Sequence, residues 1–202
     1  MPAMADRIMK RVRGKGRGWV FTPRHFIDFG TRGSIDMALS RLAHAGDIRR
    51  IGRGLYDYPR PHEKLGLINP DPANIADALA VQSGDKLAPS TALAANNFGI
   101  STQVPAKASY ATTGRTRVKH AGGRSLTLKH SRAPVLDNAS DAANMVLQVL
   151  AHLGKGGVDD EKVRYFAARL DDNSMKRLVQ ARPEMSGWMG DIVLKIEAAR
   201  HG

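Results

Sequence analysis

Apolar positions in the first sixty residues fall into helix-like and strand-like groups punctuated by glycine. Ile8, Met9 and Val12 recur at helical spacing within Ala3 to Arg13, with basic residues between them, and predict a first helix. Gly14 to Gly18 reads as a turn, and Trp19-Val20-Phe21-Thr22 as a short apolar strand. Thr22 suits a helix N-cap and Pro23 the position after it, so a short second helix is expected over Pro23 to Phe29, ending at Gly30. Thr31 to Ala45 predicts a third helix, capped by Thr31 or Ser34, with Gly46 just past its end. At about 100° per residue, Leu39 and Leu42 lie within about 40° of Ile35, and Ala38 at about 60°. That stripe faces a core, and Met37, Ser40 and His44 lie opposite, flanked by Asp36 and Arg41. Arg49 to Pro59 then reads as two short strands joined at Gly52-Arg53-Gly54.

Pro59, Pro61 and Asn69-Pro70-Asp71-Pro72 predict a linker over 61–72 between an N-terminal domain, 1–60, and a second domain, 73–202. Helices are expected over Asn74 to Ser83 and Ser90 to Phe98, and a strand over Ala106 to Thr113. Arg115 to Lys119 and Arg124 to His130 form a basic hairpin around Ala121-Gly122-Gly123. From Asn138 the pattern turns helical, with segments at Asp141–Leu153, Asp159–Leu170, Asn173–Ala181 and Gly187–Ala199. The fold class is therefore α+β: an N-terminal winged helix-turn-helix, then a mixed α/β domain with a helical C-terminal part.

Charge adds a direction to this layout. Residues 1–60 carry 13 basic and 5 acidic side chains, residues 61–136 carry 9 and 4, and residues 137–202 carry 9 and 10. The excess sits in the first two thirds and calls for a polyanion there, nucleic acid before membrane, because no hydrophobic basic helix accompanies it. With 42% apolar residues in 202, a packed core is expected rather than disorder. The chain has no cysteine, so disulfides and zinc–cysteine sites are excluded. A signal-peptide core and a long apolar run are both missing, and a cytoplasmic protein is expected.

A helix followed at once by an arginine-tipped hairpin is the pattern of a winged helix, whose third helix enters the major groove of DNA by its N-terminal part. Arg32, Ser34, Met37, Ser40 and Arg41 are the candidates for groove contact. Arg bridges guanine O6 and N7, and Ser reads more permissively. Asp36 either accepts from cytosine N4 or caps the helix, and the cap is the favoured reading. Arg49, Arg50 and Arg53 are the wing candidates, and strand alternation sends Arg49 and Arg50 to opposite faces. Tyr56 and Tyr58 are read as packing residues. Lys15 and Arg17, in a glycine-rich turn without Walker spacing, are read as backbone phosphate contacts.

Catalytic motifs are sparse. The histidines, His25, His44, His62, His120, His130, His152 and His201, show no metal spacing, and no G-x-S-x-G occurs. Asp159-Asp160-Glu161 and Asp171-Asp172 sit where helices start, and capping accounts for them better than metal binding. Gly154-Lys155-Gly156-Gly157 reads as a helix-to-helix connection. The expectation is a non-enzyme with neither cofactor nor metal.

Trp19-Val20-Phe21-Thr22-Pro23, Gly33 through Leu42, and Ile51-Gly52-Arg53-Gly54-Leu55-Tyr56 resemble the winged helix of AbiEi-type antitoxins, of the abortive-infection, type IV toxin–antitoxin group. Pro89 through Gly99 and Tyr110 through Arg115 resemble that family's next domain, a helix before a small sheet carrying basic residues. Arg115, Arg117, Lys119, Arg124 and Lys129 match that basic surface in kind. The resemblance implies a transcriptional autorepressor that counteracts a nucleotidyltransferase-like toxin without a stable complex. Its partners would be operator DNA and functionally the toxin, and a palindromic operator would require a homodimer or two molecules side by side. The alternative is an RNA-binding protein using the basic hairpin 115–130.

Overall fold

A computed structural model describes residues 3–100, 102, 108–136 and 141–200. The chain is α+β and divides into two compact units, Met1–Asp85 with Val118–Leu126, and Lys86–Arg117 with Thr127–Gly202.

The first unit opens with α1 (Met4–Lys15), whose Ile8, Met9 and Val12 are buried at helical spacing. Gly14 and Lys15, expected in the turn, extend the helix, and the chain reverses at Gly16, which takes φ +86°. β1 (Val20–Phe21) follows. The short second helix is 3-10 rather than α over Pro23–Phe29, with Thr22 accepting from the Arg24 N–H. α2 (Arg32–His44) starts at Thr31, whose hydroxyl accepts from the Ser34 N–H, and Gly46 beyond its end has φ +82°. β2 (Arg49–Gly52) and β3 (Leu55–Asp57) form the expected hairpin, with a register shift between Arg50 and Gly52. β1 pairs antiparallel with β3, giving the sheet order β1-β3-β2.

The core of this unit joins Ile8, Met9 and Val12 of α1 to Phe21, Phe26, Tyr56 and the α2 stripe Ile35, Ala38, Leu39 and Leu42. Its aromatic rings pack edge-to-face or stacked: Phe21 lies 5.6 Å from Phe26 and 6.2 Å from Tyr56. Such pairs contribute about 0.5–1.5 kcal/mol beyond area burial, enough to matter in a core this small.

The segment 61–72 is not a bare linker. β4 (Arg60–His62) and β5 (Gly66–Ile68) pair antiparallel there, and α3 (Pro72–Ser83), capped by Asp71, belongs to the first unit. The prolines of this stretch serve an isolated two-stranded ribbon and a helix start, where a missing N–H costs little. The boundary therefore lies after Asp85 instead of at the proline cluster.

The second unit contains β6 (Leu87–Pro89), α4 (Thr91–Asn97) and β7 (Ser109–Thr112). Residues 106 and 107 of the expected strand lie outside the described residues. β8 (Arg117–Ala121) and β9 (Arg124–His130) form the predicted hairpin, turning through Gly122 and Gly123 at φ +57° and +73°. β7 runs parallel to β9, and the sheet order is β6-β7-β9-β8. Four helices follow: α5 (Asp141–Leu153), α6 (Asp160–Ala167), α7 (Asp172–Gln180) and α8 (Gly187–Ala198). Residues 138–140, where the helical pattern was expected to begin, lie outside the described residues. The core is aliphatic, with Val146, Leu147, Leu150, Leu178, Val193 and Ile196 gathered around Phe166. Asp159 and Asp171 cap α6 and α7, accepting from the N–H groups of Lys162 and Ser174 at 2.8 and 2.7 Å. Gly154 to Gly157 connects α5 to α6.

Candidate nucleic-acid interface

α2 has one face in the core and one open. Ile35, Ala38, Leu39 and Leu42 are buried, whereas Arg32, Gly33, Met37, Ser40, Arg41 and His44 are exposed. Met37 is 58% exposed, a large apolar side chain left without cover on an otherwise polar face. Ser34 is half-buried, and its hydroxyl donates to the Thr31 carbonyl at 2.8 Å, so it serves the helix start. Asp36 is not the cap, because Thr31 takes that role. Its carboxylate receives the Arg32 Nε–H instead, at 3.0 Å to Oδ1 and 2.9 Å to Oδ2.

The hairpin departs from expectation at Arg49. Its guanidinium points back into the sheet, with Nε 3.0 Å from Asp57 Oδ1 and one terminal nitrogen 2.6 Å from Oδ2. The same nitrogen donates to the Ile68 carbonyl at 2.9 Å. Asp57 is 1% exposed, so removing Arg49 would strand a buried charge. The hydrogen bonds that Arg49 donates to Asp57 raise the Arg49 pKa above its ordinary value. Arg49 is therefore a structural residue and leaves the list of DNA contacts. Arg50, on the opposite face as alternation requires, is exposed, and its Nε reaches only the Gly52 carbonyl, at 3.4 Å.

Arg53 at the hairpin tip is exposed, but the tip backbone is held. Gln82 of α3 donates to the Arg53 and Gly54 carbonyls at 2.9 and 3.3 Å, and the Gly122 N–H donates to the Ile51 carbonyl at 3.0 Å. Arg17 is also committed: it donates to the Pro59 carbonyl at 2.8 Å and stacks 4.6 Å from the Tyr58 ring. Arg17 and Arg49 thus grip the two ends of the β4–β5 ribbon, at Pro59 and Ile68. Lys15, at the end of α1, is exposed. Tyr56 is buried and Tyr58 half-buried, as packing residues.

The five basic residues expected on the second domain are divided between the two units. On β8, Arg117 and Lys119 are half-buried and alternate with exposed Val118 and His120. On β9, Leu126 and Leu128 are buried while Lys129 is exposed. His120 hydrogen-bonds Ser125 at 3.0 Å, which puts these two on one face of the hairpin and Lys119 on the other. Arg115 is exposed, and its carbonyl accepts from Arg117 at 3.0 Å. Lys119 and Arg124 fall within the first unit, where Arg124 and Arg60 line a cavity of about 330 Å³.

Four of the described histidines, His25, His62, His120 and His130, have local hydrogen-bond partners. His25 Nδ1 accepts from the Thr22 N–H at 3.0 Å, and burial, with the charges of Lys15 and Arg11, holds its pKa below the ordinary 6.5. His62 Nδ1 accepts from the Lys64 and Leu65 N–H groups at the ribbon's turn, and His130 Nδ1 lies 3.0 Å from the Gly114 carbonyl. Asp159 and Asp171 have carboxyl pKa values below the ordinary range, the first through the Lys162 side chain and the second through the Ser174 backbone. No group of three metal-ligating side chains occurs among the described residues, and no helix there is long and apolar enough to cross a membrane.

Two residues of the first unit that matter to the interface escaped the sequence reading, Asp57 and Gln82. A signal existed for Asp57: counting outward from Gly52-Arg53-Gly54 with one bulged residue sets Arg49 opposite it. For Gln82, 29 residues from Arg53 at the tip, the local sequence held none.

Neither curated proteins nor solved structures give a match to the chain. A family model, described as a family of unknown function (DUF6088), matches residues 7–178, which covers most of both units. The chain belongs to this family.

Proposed function

We propose that α1, β1, the 3-10 helix, α2 and the β2–β3 hairpin form a winged helix-turn-helix that binds duplex DNA, and that the protein is a transcriptional autorepressor. The observation that carries this reading is the division of α2. Its apolar stripe is fully used in the core, yet its other face, with Met37, Ser40 and Arg41, is open and lies one turn before an arginine-bearing antiparallel hairpin. Free N–H groups at the start of such a helix favour a phosphate, and the side chains of the next two turns reach base edges. Met37 suits a thymine methyl, while Arg41, Arg50 and Arg53 suit phosphates.

The antitoxin role, opposing a nucleotidyltransferase-like toxin, rests on the resemblance to AbiEi-type antitoxins. In this reading the protein binds rather than catalyses. RNA binding through residues 115–130 is the weaker alternative, because the turn of that hairpin is hydrogen-bonded to β2 and its cations lie on both faces.

The test compares a duplex from the region upstream of the protein's own reading frame with a scrambled duplex, at about 150 mM salt, where non-specific affinity is weak. A preference of about a thousandfold supports the repressor. Equal weak binding to both sinks it. Arg53→Glu and Arg117→Glu then separate the readings: loss with the first supports the winged helix, and loss with only the second supports the 115–130 hairpin.

A further inference from the structure

We propose that Asp36 is a positioning residue that aims Arg32 at a guanine in the major groove, an inference that rests on the winged-helix reading above. Asp36 is the one carboxylate on α2, on a helix whose open face otherwise offers Met37, Ser40, Arg41 and His44. A negative charge there repels phosphates and weakens any DNA complex, so its presence needs a reason. Capping is not the reason, since Thr31 caps α2. Helix stability is a poor one, because an exposed i,i+4 pair contributes little.

The geometry supplies a reason. Both Asp36 oxygens take the Nε–H of Arg32 and leave its two terminal nitrogens without a partner among the described residues. Their four N–H groups form the end of the fork that binds guanine O6 and N7 side by side. Arg32 is the first residue of α2, at the end that enters the groove in this docking mode. A guanidinium fixed along one edge has fewer orientations to lose on binding, so the pair trades general affinity for base selectivity. Arg41, Arg50 and Arg53 have no such carboxylate partner among the described residues, and their part is to hold phosphates.

The experiment selects binding sites from a random duplex pool with the full-length wild type, Asp36→Ala, Arg32→Ala and Arg32→Lys, and measures each variant on the selected and scrambled duplexes. The wild type should enrich a G·C pair that Arg32→Ala and Arg32→Lys no longer require. Asp36→Ala should bind scrambled duplex at least as tightly as the wild type, having lost a repulsive charge. Its preference for that G·C pair should nevertheless fall about tenfold, the range one bidentate contact supplies. Combining Asp36→Ala with Arg32→Ala should add nothing to the loss. The proposal is overturned if Asp36→Ala keeps the wild-type base profile. It also fails if Arg32→Ala weakens selected and scrambled duplexes alike, which would make Arg32 a phosphate contact and leave the winged-helix reading standing. If the wild type enriches no sequence, the winged-helix reading falls, and this proposal with it.

Discussion

The outer face of α2 and the β2–β3 hairpin were both expected to touch DNA, and they differ in how far that expectation survives folding. On α2 the expected residues stay at the surface, Ser34 excepted, because the helical period separates the buried stripe from the open face. In the hairpin one arginine of three is internal, and the tip backbone is held by groups distant in sequence. A helix face is fixed by residues three and four apart. The fate of a strand cation is fixed by whatever sits across the ladder, and here that is Asp57.

The largest expected effect breaks this comparison at Arg49. Arg49→Ala leaves the Asp57 carboxylate buried and unpaired, and unfolding of the full chain in urea should show a loss of about 3–5 kcal/mol. Arg50→Ala, one residue away, should stay within about 0.5 kcal/mol of the wild type. Equal effects would mean that Asp57 does not depend on Arg49. Next comes Arg53→Glu, which should weaken duplex binding about tenfold or more and lower the salt slope by about 1, while the urea midpoint stays in place. A shifted midpoint would show that the tip side chain serves the fold.

How much could be read in advance follows from the same distinction. The cores of α1 and α2, and the four C-terminal helices, two of them with Asp caps, were legible because their apolar spacing and caps are local. The β4–β5 ribbon was not, because its short strands lie among four prolines and carry only Leu67 and Ile68 as large apolar residues. Nor was the parallel pairing of β7 with β9, since register between strands not joined by a tight turn leaves no local mark. At the candidate site the residue types were legible. Their partners were legible only where alternation or turn counting reaches, which covers Asp57 opposite Arg49 but not the Pro59 carbonyl beside Arg17.

Smaller effects sharpen the picture. Thr31→Ala removes the hydroxyl that accepts the Ser34 N–H and should cost about 1 kcal/mol. His25 titrates below its ordinary 6.5 in the folded chain, so the unfolded chain takes up the proton first as the pH falls. Above 6.5 this residue contributes no pH dependence. Below it the first unit should lose stability until the folded imidazole is also protonated. Urea midpoints at pH 7 and pH 5 for the wild type and His25→Asn should differ in slope, with the variant flatter. An equally steep variant would assign the dependence to other groups.

The packing of the Gly122 turn against β2 has a consequence for synthesis. Ile51 leaves the ribosome well before the Gly122 N–H that its carbonyl accepts, and before the Ala121 side chain beside Gly52, because the whole stretch from Asp85 to Val118 lies between them. At about 5–20 residues per second, the nascent N-terminal unit waits for seconds with one edge of its sheet open. A message cut short between those points would release a domain with its aromatic core assembled and its sheet edge unguarded, a species suited to self-association.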